Sequence, residues 1–421
     1  PESLDRDLER FYPTQVLETG YDIIFFWVAR MIMLSIYNMD GVPPFETVYL
    51  HGLVRGDDGK KMSKSSGNIV DPLEAIETYG CDGLRYALIS GTSPGNDQKL
   101  TGDRLESGRN FSNKLWNAGR FVINLREQHK DKVTTAHSKP ALEDRWINSR
   151  LAELTDEVDR LLTSYELSEA LRQIRDFFWD DFADWYVEIA KIRIRNEDYT
   201  PLEVLTETYE TILRLVHPFM PFISEEIWQR LQNSIARSDE ESALIVANYP
   251  DSREIKFKRD PDAITRFNAV QEFIRSIRYI RSENKVDAAR KIECFLVISE
   301  YTDEVRNLSA AIKSLGRIDP LHIVSEISEA PTDQVVSQVT DGGTVIVPLG
   351  GLFDLETEQK RLKGDLQMVQ QEIDRQNQKL DNQEFREKAP ESVIQKERDK
   401  LEAAKAKATS ISNRLQDLVT D

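Results

Sequence analysis

Lys61 and Lys64 stand three residues apart in Lys61-Met62-Ser63-Lys64-Ser65, inside the run YLHGLVRGDDGKKMSKSSGNIVD from Tyr49 to Asp71. A lysine ammonium is a mobile point charge with three donors. Two of them on a loop of serine and glycine, where the backbone can also come close to a ligand, suit the oxygens of a polyphosphate. The competing reading is a solvated surface loop, because lysines are ordinarily exposed. The apolar run Val48 to Val54 predicts a strand ahead of the loop, with Tyr49 to Val54 as its body. Asp71-Pro72 predicts a helix start behind it. His51-Gly52 falls in that strand, either as a plain strand-end residue with its neighbour or as part of a site.

Elements upstream must hold this loop in place. Thr14 to Glu18 reads as a short strand closed by Thr19-Gly20, and Asp22 to Tyr37 as a mostly buried helix, apolar on nearly every face. Strand, glycine turn and helix place ligands at the carboxyl edge of a parallel sheet. Taken alone, Asp22 reads as a helix N-cap and Trp27 as a core residue. Pro72 to Tyr79 and Asp82 to Ser90 read as further helices with Gly80 between them. Residues 1–100 therefore read as part of a doubly wound α/β domain.

Residues 101–255 change character. Leu105 to Leu125, Leu142 to Leu162, Tyr165 to Arg195 and Leu202 to Leu231 are periodic at helical spacing, which predicts a helical bundle. The stripe Phe177, Phe178, Trp179, Phe182, Trp185 and Tyr186 reads as core. Residues 256–349 read as a small α/β module: helix Ala263 to Arg281, strand Ile292 to Ile298, helix Glu304 to Leu315, and strands Leu321 to Val324 and Gly343 to Pro348. Arg275, Arg278 and Arg281 recur every three residues and are expected on one face, either solvated or contacting phosphate. In residues 350–421, Leu355, Leu362, Leu366, Val369, Ile373 and Leu380 space as a heptad seam, and Ile394, Leu401, Ala404, Ala408, Ile411 and Leu415 do so again. Asp381 to Pro390 interrupts the seam, so an antiparallel coiled-coil hairpin is the simplest expectation. Pairing with another chain would satisfy it too.

Composition bounds the function. The 421 residues carry a net charge of −18. Bulk acidity argues against non-specific nucleic-acid binding, although local basic surfaces still decide specific contact. Cys81 and Cys294 are too far apart in sequence to imply a disulfide scaffold or a zinc site. No carboxylates have metal-site spacing, so no dedicated metal ligand is expected. The longest apolar stretch, Ile23 to Ile36, contains Arg30 and is too short to span a bilayer. The cytoplasm is the plain expectation.

Four segments together carry a resemblance: Thr19 to Met33, His51 to Asn68, Arg109 to Phe121, and His217 to Trp228. Lys61 to Ser65 is similar to the KMSKS motif of class I aminoacyl-tRNA synthetases. The four segments in order resemble the bacterial-type valyl-tRNA synthetases over essentially the whole chain. The resemblance implies a multidomain protein: a partial catalytic domain, an anticodon-binding bundle, a small module and an arm reaching the outer corner of tRNA. It further implies that ATP, with Mg²⁺ as its substrate complex, L-valine and tRNA(Val) are the ligands, with no tightly bound cofactor, in a protein that is a monomer at full length.

By the same resemblance, Lys61 and Lys64 would be catalytic. His51, Gly52, Met62, Ser63 and Ser65 would complete the ATP site, and Gly20, Asp22 and Trp27 would take the amino acid. Arg109, Asn113, Lys114, Arg275, Arg278, Lys396 and Lys400 would contact tRNA. The family's HIGH motif and hydrolytic editing insertion are not found in these residues, so the chain resembles a C-terminal portion. As 421 residues alone, it is not expected to form the adenylate efficiently or to edit. The isoleucine enzyme shares this architecture, although FFWVARMIM favours valine. A non-catalytic tRNA-binding or coiled-coil module is the reading from outside the enzymes.

Overall fold

The computed structural model describes residues 2–62, 70–132, 140–235, 243–253, 259–348, 350, 355–381 and 391–417. It falls into two units, residues 1–265 and 266–421.

The first unit begins with α1 (Glu2–Phe11) and a parallel strand pair, β1 (Thr14–Gly20) and β2 (Phe45–His51). Between the strands the chain makes a 3₁₀ turn at Tyr21–Ile23, a π-helical turn at Ile24–Val28, and then α2 (Ala29–Asn38). The sequence predicts a mostly buried helix here, and the structure differs. Of Tyr21–Asn38 only Val28 is buried, while Phe25, Phe26 and Tyr37 are exposed. A stretch apolar on every side needs neighbours on every side. Among the described residues these neighbours are supplied on one side only, which leaves an extended apolar surface.

β2 ends at His51 rather than running through to Val54. A separate short strand, β3 (Val54–Arg55), pairs in parallel with β4 (Gln98–Lys99). α3 (Pro72–Tyr79) starts where Asp71-Pro72 predicts, with the Asp71 carboxylate accepting from the Leu73 N–H at 2.8 Å. α4 (Cys81–Ile89) follows Gly80, whose φ of +83° suits glycine. Ala75, Ala87, Leu100 and Leu105 form a small core, against which Val54, Met62, Val70, Tyr79 and Leu84 pack.

The bundle comprises α5 (Gly102–Gln128), α6 (Leu142–Thr163), α7 (Leu167–Asp176), a π-helical continuation at Phe177–Tyr186, α8 (Val187–Arg195), α9 (Pro201–Val216) and α10 (Pro221–Ile235). The expected aromatic core is present. Phe178, Phe182, Tyr186 and Tyr209 are fully buried, and the Tyr209 hydroxyl donates to the Leu115 carbonyl at 2.6 Å. Trp179 stands at the rim under the Lys114 ammonium. The predicted helix Leu202 to Leu231 is two helices. Pro218 and Pro221 interrupt the backbone ladder between them, since proline donates no N–H.

Asp82 ties α4 to this break. It is buried, and its carboxylate accepts from the Ile223 N–H at 2.6 Å and the Phe222 N–H at 3.4 Å, at the start of α10. Arg85, one turn on, donates to the carbonyls of Phe219 and Pro218. Asp82→Ala leaves two part-buried helix-end donors without their partner and is expected to cost about 1–3 kcal/mol. Asp82→Asn keeps one acceptor and should cost less than half as much. Urea unfolding monitored by circular dichroism measures both, and equal stability of Asp82→Ala and the parent would contradict this role.

The second unit takes up most of α11 (Pro261–Glu283) and a four-stranded sheet in the order β6-β5-β8-β7. The strands are β5 (Ile292–Ile298), β6 (Ile318–Val324), β7 (Val335–Thr340) and β8 (Gly343–Pro348). β5 and β6 are parallel, and β8 runs antiparallel to β5 and β7. β5 alternates strictly, with Ile292, Cys294, Leu296 and Ile298 buried. The predicted helix Glu304 to Leu315 is instead α12 (Thr302–Asn307) and α13 (Ser309–Gly316), divided at Leu308. The arm is α14 (Leu355–Asp381) and α15 (Glu391–Asp417). Seam positions Leu362, Ile373, Ile394 and Leu401 are buried. Lys379, near the end of α14, pairs with Glu397, near the start of α15, at 3.2 Å, as an antiparallel hairpin requires.

Candidate functional site

The carboxyl ends of β1 and β2 coincide, with Gly20 opposite His51 in the ladder. A Cβ added at Gly20 would lie 2.9 Å from the Asp22 carboxylate and 3.5 Å from the His51 ring. The fold therefore gathers Gly20, Asp22 and His51 at one sheet edge, as the strand-turn-helix pattern requires. The His51 ring sits 3.4 Å from the Glu18 carboxylate through Nε2 and 2.9 Å from the Gly52 carbonyl through Nδ1. Gly52 lies against the backbone of Asn96 so closely that any Cβ would overlap the Asn96 carbonyl. Trp27 is on the π-helical turn after Asp22 and is 55% exposed.

The stem of the lysine loop is a tight hairpin. The Gly56 N–H donates to the Lys60 carbonyl at 3.1 Å, the Gly59 N–H donates to the Gly56 carbonyl at 2.9 Å, and Arg55 pairs with Lys61 across it. Lys61 is exposed at the end of this stem, and Met62 anchors it by packing on the small core. Ser63, Lys64 and Ser65 lie outside the described residues.

Sequence reasoning missed the segment alongside this stem. The Gly95 N–H donates to the Leu50 carbonyl at 2.8 Å, and the Gln98 N–H to the Leu53 carbonyl at 3.1 Å. Between them Asp97 accepts from the Leu53 N–H, Arg55 and the Tyr21 hydroxyl. The Leu53 N–H above all, with Arg55 and Tyr21, holds the Asp97 carboxyl below the usual carboxylate range. The same Tyr21 hydrogen bond, first among several causes, raises the tyrosine. The available signal was the turn-type run Pro94-Gly95-Asn96-Asp97.

The remaining predicted residues are dispersed over helices. Arg109 pairs with Glu106 at 2.9 Å and stands over the Tyr79 ring, and Asn113 is exposed one turn along α5. Lys114 faces Asp184 at 3.5 Å, with its ammonium 4.7 Å from the Trp179 ring centre. Arg275 and Arg278 are exposed on α11, the latter donating to the Leu315 carbonyl at 3.1 Å. Arg281 does not share their face. It is buried and donates to the carbonyls of Asp287 and Arg317, so it braces the module. The three-residue spacing misleads because 300° of helical turn puts the third arginine 60° further round than the second. On α15, Lys396 is exposed and Lys400 pairs with Glu397 at 2.9 Å. Among the described residues no cluster of His, Cys, Asp or Glu could hold a metal ion, and no helix is long and apolar enough to cross a membrane.

Comparison with known proteins accounts for these parts. Residues 1–101 match the class I tRNA synthetases (I, L, M and V), residues 144–296 the anticodon-binding domain of tRNA ligase, and residues 354–419 the valyl tRNA synthetase tRNA binding arm. Over residues 1–101 the chain is similar to the class I tRNA synthetases.

Within that class it is homologous to the bacterial valine–tRNA ligases. It is 45% identical to that of Dehalococcoides mccartyi strain CBDB1 over 399 residues, 94% of this chain and 45% of that protein. It is 39% identical to that of Thermotoga maritima over 414 residues, 98% of this chain and 46% of that protein. It is 38% identical to that of Bacillus subtilis over 427 residues, 99% of this chain and 47% of that protein. The chain spans about half the length of the curated relatives it matches.

Proposed function

We propose that this chain supplies the lysine loop, the anticodon-binding bundle and the tRNA-binding arm of a valine–tRNA ligase acting in the cytoplasm. The whole enzyme joins L-valine to ATP and then transfers the valyl group to tRNA(Val). In the first step a valine carboxylate oxygen attacks the α-phosphorus and diphosphate leaves. In the second, a hydroxyl of the terminal adenosine of tRNA attacks the valyl carbonyl and AMP leaves. The observation that carries this reading is the order of the three family matches along one chain.

Residues 1–100 would be catalytic, 101–255 anticodon-binding, 256–349 a small module and 350–421 the arm. Asp22 would pair with the valine ammonium, which charge-assisted hydrogen bonding favours. Gly20 would let the substrate approach the backbone, and Trp27 would wall the side-chain pocket. His51 and Gly52 would frame adenine and ribose. Lys61 and Lys64, with Met62, Ser63 and Ser65, would hold the phosphates of ATP, whose Mg²⁺ arrives as part of the substrate. Arg109, Asn113, Lys114, Arg275, Arg278, Lys396 and Lys400 would meet tRNA phosphates.

Binding of tRNA by the 421-residue chain tests the part of this reading that needs no catalysis. Transcribed tRNA(Val) is expected to bind with an affinity that falls steeply with salt. Deleting residues 354–421 is expected to weaken it roughly tenfold or more. Binding unaffected by that deletion would overturn the role of the arm, and no binding of tRNA at low salt would overturn the reading of the chain as a tRNA partner.

A further inference from the structure

We propose that Asp97 is a positioning residue that sets Lys61 through the hairpin stem of residues 55–61, an inference that rests on reading Lys61 as a phosphate-binding residue. Its carboxylate draws together separate parts of the first unit. One oxygen accepts from the Leu53 N–H at 2.8 Å and the Tyr21 hydroxyl at 3.1 Å. The other accepts from Arg55 Nε at 2.6 Å, and a second guanidinium nitrogen of Arg55 reaches it as well. Tyr21 opens the turn between Gly20 and Asp22, on the side where the amino acid would sit. Arg55 lies on β3 and Leu53 immediately precedes it, and Arg55 is the residue across from Lys61 at the hairpin stem. One side chain therefore links the β1 turn to the stem that carries Lys61.

The arrangement fixes orientation as well as distance. Both Arg55 nitrogens converge on one carboxylate oxygen while the Leu53 N–H and the Tyr21 hydroxyl hold the other, so the carboxylate is fixed at both ends by charge-assisted and neutral hydrogen bonds. Asp97 cannot drift to accommodate the loop, because the flanking Gly95 and Gln98 N–H groups are bonded to Leu50 and Leu53. With Arg55 turned inward onto Asp97, the stem presents Lys61 outward. A charge meant for developing negative charge must be held in place beforehand, and small displacements are costly in rate. Asp97 acts through the stem, not on substrate.

Asp97→Asn retains an oxygen for the Leu53 N–H and removes the charge that holds Arg55. Two measurements on the native-length protein carrying this chain test the proposal: valine-dependent ATP–diphosphate exchange, and amide hydrogen exchange across residues 53–61. Asp97→Asn is expected to lower kcat roughly 30-fold, to leave the KM for valine within about threefold, and to speed amide exchange in 53–61 about tenfold. The melting temperature should move by less than about 3 °C. Amide exchange and kcat both within about threefold of the parent would overturn the proposal. If Asp97→Asn fails to fold, Tyr21→Phe decides, since it leaves Leu53 and Arg55 on Asp97. Its kcat is expected to fall about threefold to tenfold, with amide exchange in 53–61 faster, and parental values of both would overturn the proposal. An unmodified protein with no valine-dependent exchange would sink the functional reading alone, and the amide-exchange comparison would still decide the role of Asp97.

Discussion

In the native-length protein carrying this chain, Lys64→Ala is expected to lower the kcat of valine-dependent ATP–diphosphate exchange by roughly 10²–10³-fold while leaving the KM for valine within about threefold. In the proposed reaction, attack of the valine carboxylate on the α-phosphorus would place added charge on the phosphate oxygens only in the transition state. A lysine that meets that charge contributes to rate and not to binding of the amino acid. Lys61→Ala should follow the same pattern with a smaller loss. Lys61 is at the stem, where its backbone bridges to Arg55 and the adjoining Met62 packs on the small core, and Lys64 follows three residues later in the sequence. Lys64→Arg should not restore activity fully, because a planar fork does not replace a mobile ammonium. Steady-state exchange kinetics measure all three variants. Parallel changes in kcat and valine KM would place the lysines in uniform binding instead.

Gly52→Ala is expected to destabilise the first unit by about 3 kcal/mol, at the upper end of the cost of overpacking. The new methyl would overlap the carbonyl oxygen and carbon of Asn96 and crowd the N of Asp97, all of them backbone atoms. No rotamer change relieves such a clash. Residues 95–100 would have to separate from residues 50–55, which removes the hydrogen bonds from Gly95 to Leu50 and from Gln98 to Leu53. It would also withdraw Asp97 from Arg55. Stability and the loop geometry should therefore fail together, read as a lowered urea midpoint and as faster amide exchange across residues 53–61. A midpoint matching that of the parent would contradict the close approach.

Much of this was legible in the sequence for identifiable reasons. Local signals survive whatever surrounds them. Asp71-Pro72 starts its helix, the glycine turn closes β1, and the heptads form a hairpin because each is set by neighbouring residues. Gly20 and Asp22 could be placed at a sheet edge because strand-turn-helix units impose it, and the ladder then sets His51 opposite Gly20. Features set by distant segments were not legible. The exposure of Phe25, Phe26 and Trp27 depends on which elements cover them. The break of the strand at Gly52 and the role of Asp97 depend on a segment more than forty residues away, as the separation of Leu53 and Asp97 shows. β7 was missed because Val335, Val336 and Val339 do not alternate cleanly on an edge strand. Arg281 was misread because a basic residue at helical spacing looks solvated until the carbonyls of Asp287 and Arg317 are found around it.

The central claim is that this chain serves a valine-specific ligase, and amino-acid-dependent ATP–diphosphate exchange by the native-length protein tests it most directly. Valine is expected to support exchange with a kcat/KM roughly 10²-fold above that of isoleucine, since a pocket sized for the smaller side chain excludes an added methylene. Exchange that prefers isoleucine, or that no amino acid stimulates, would contradict it.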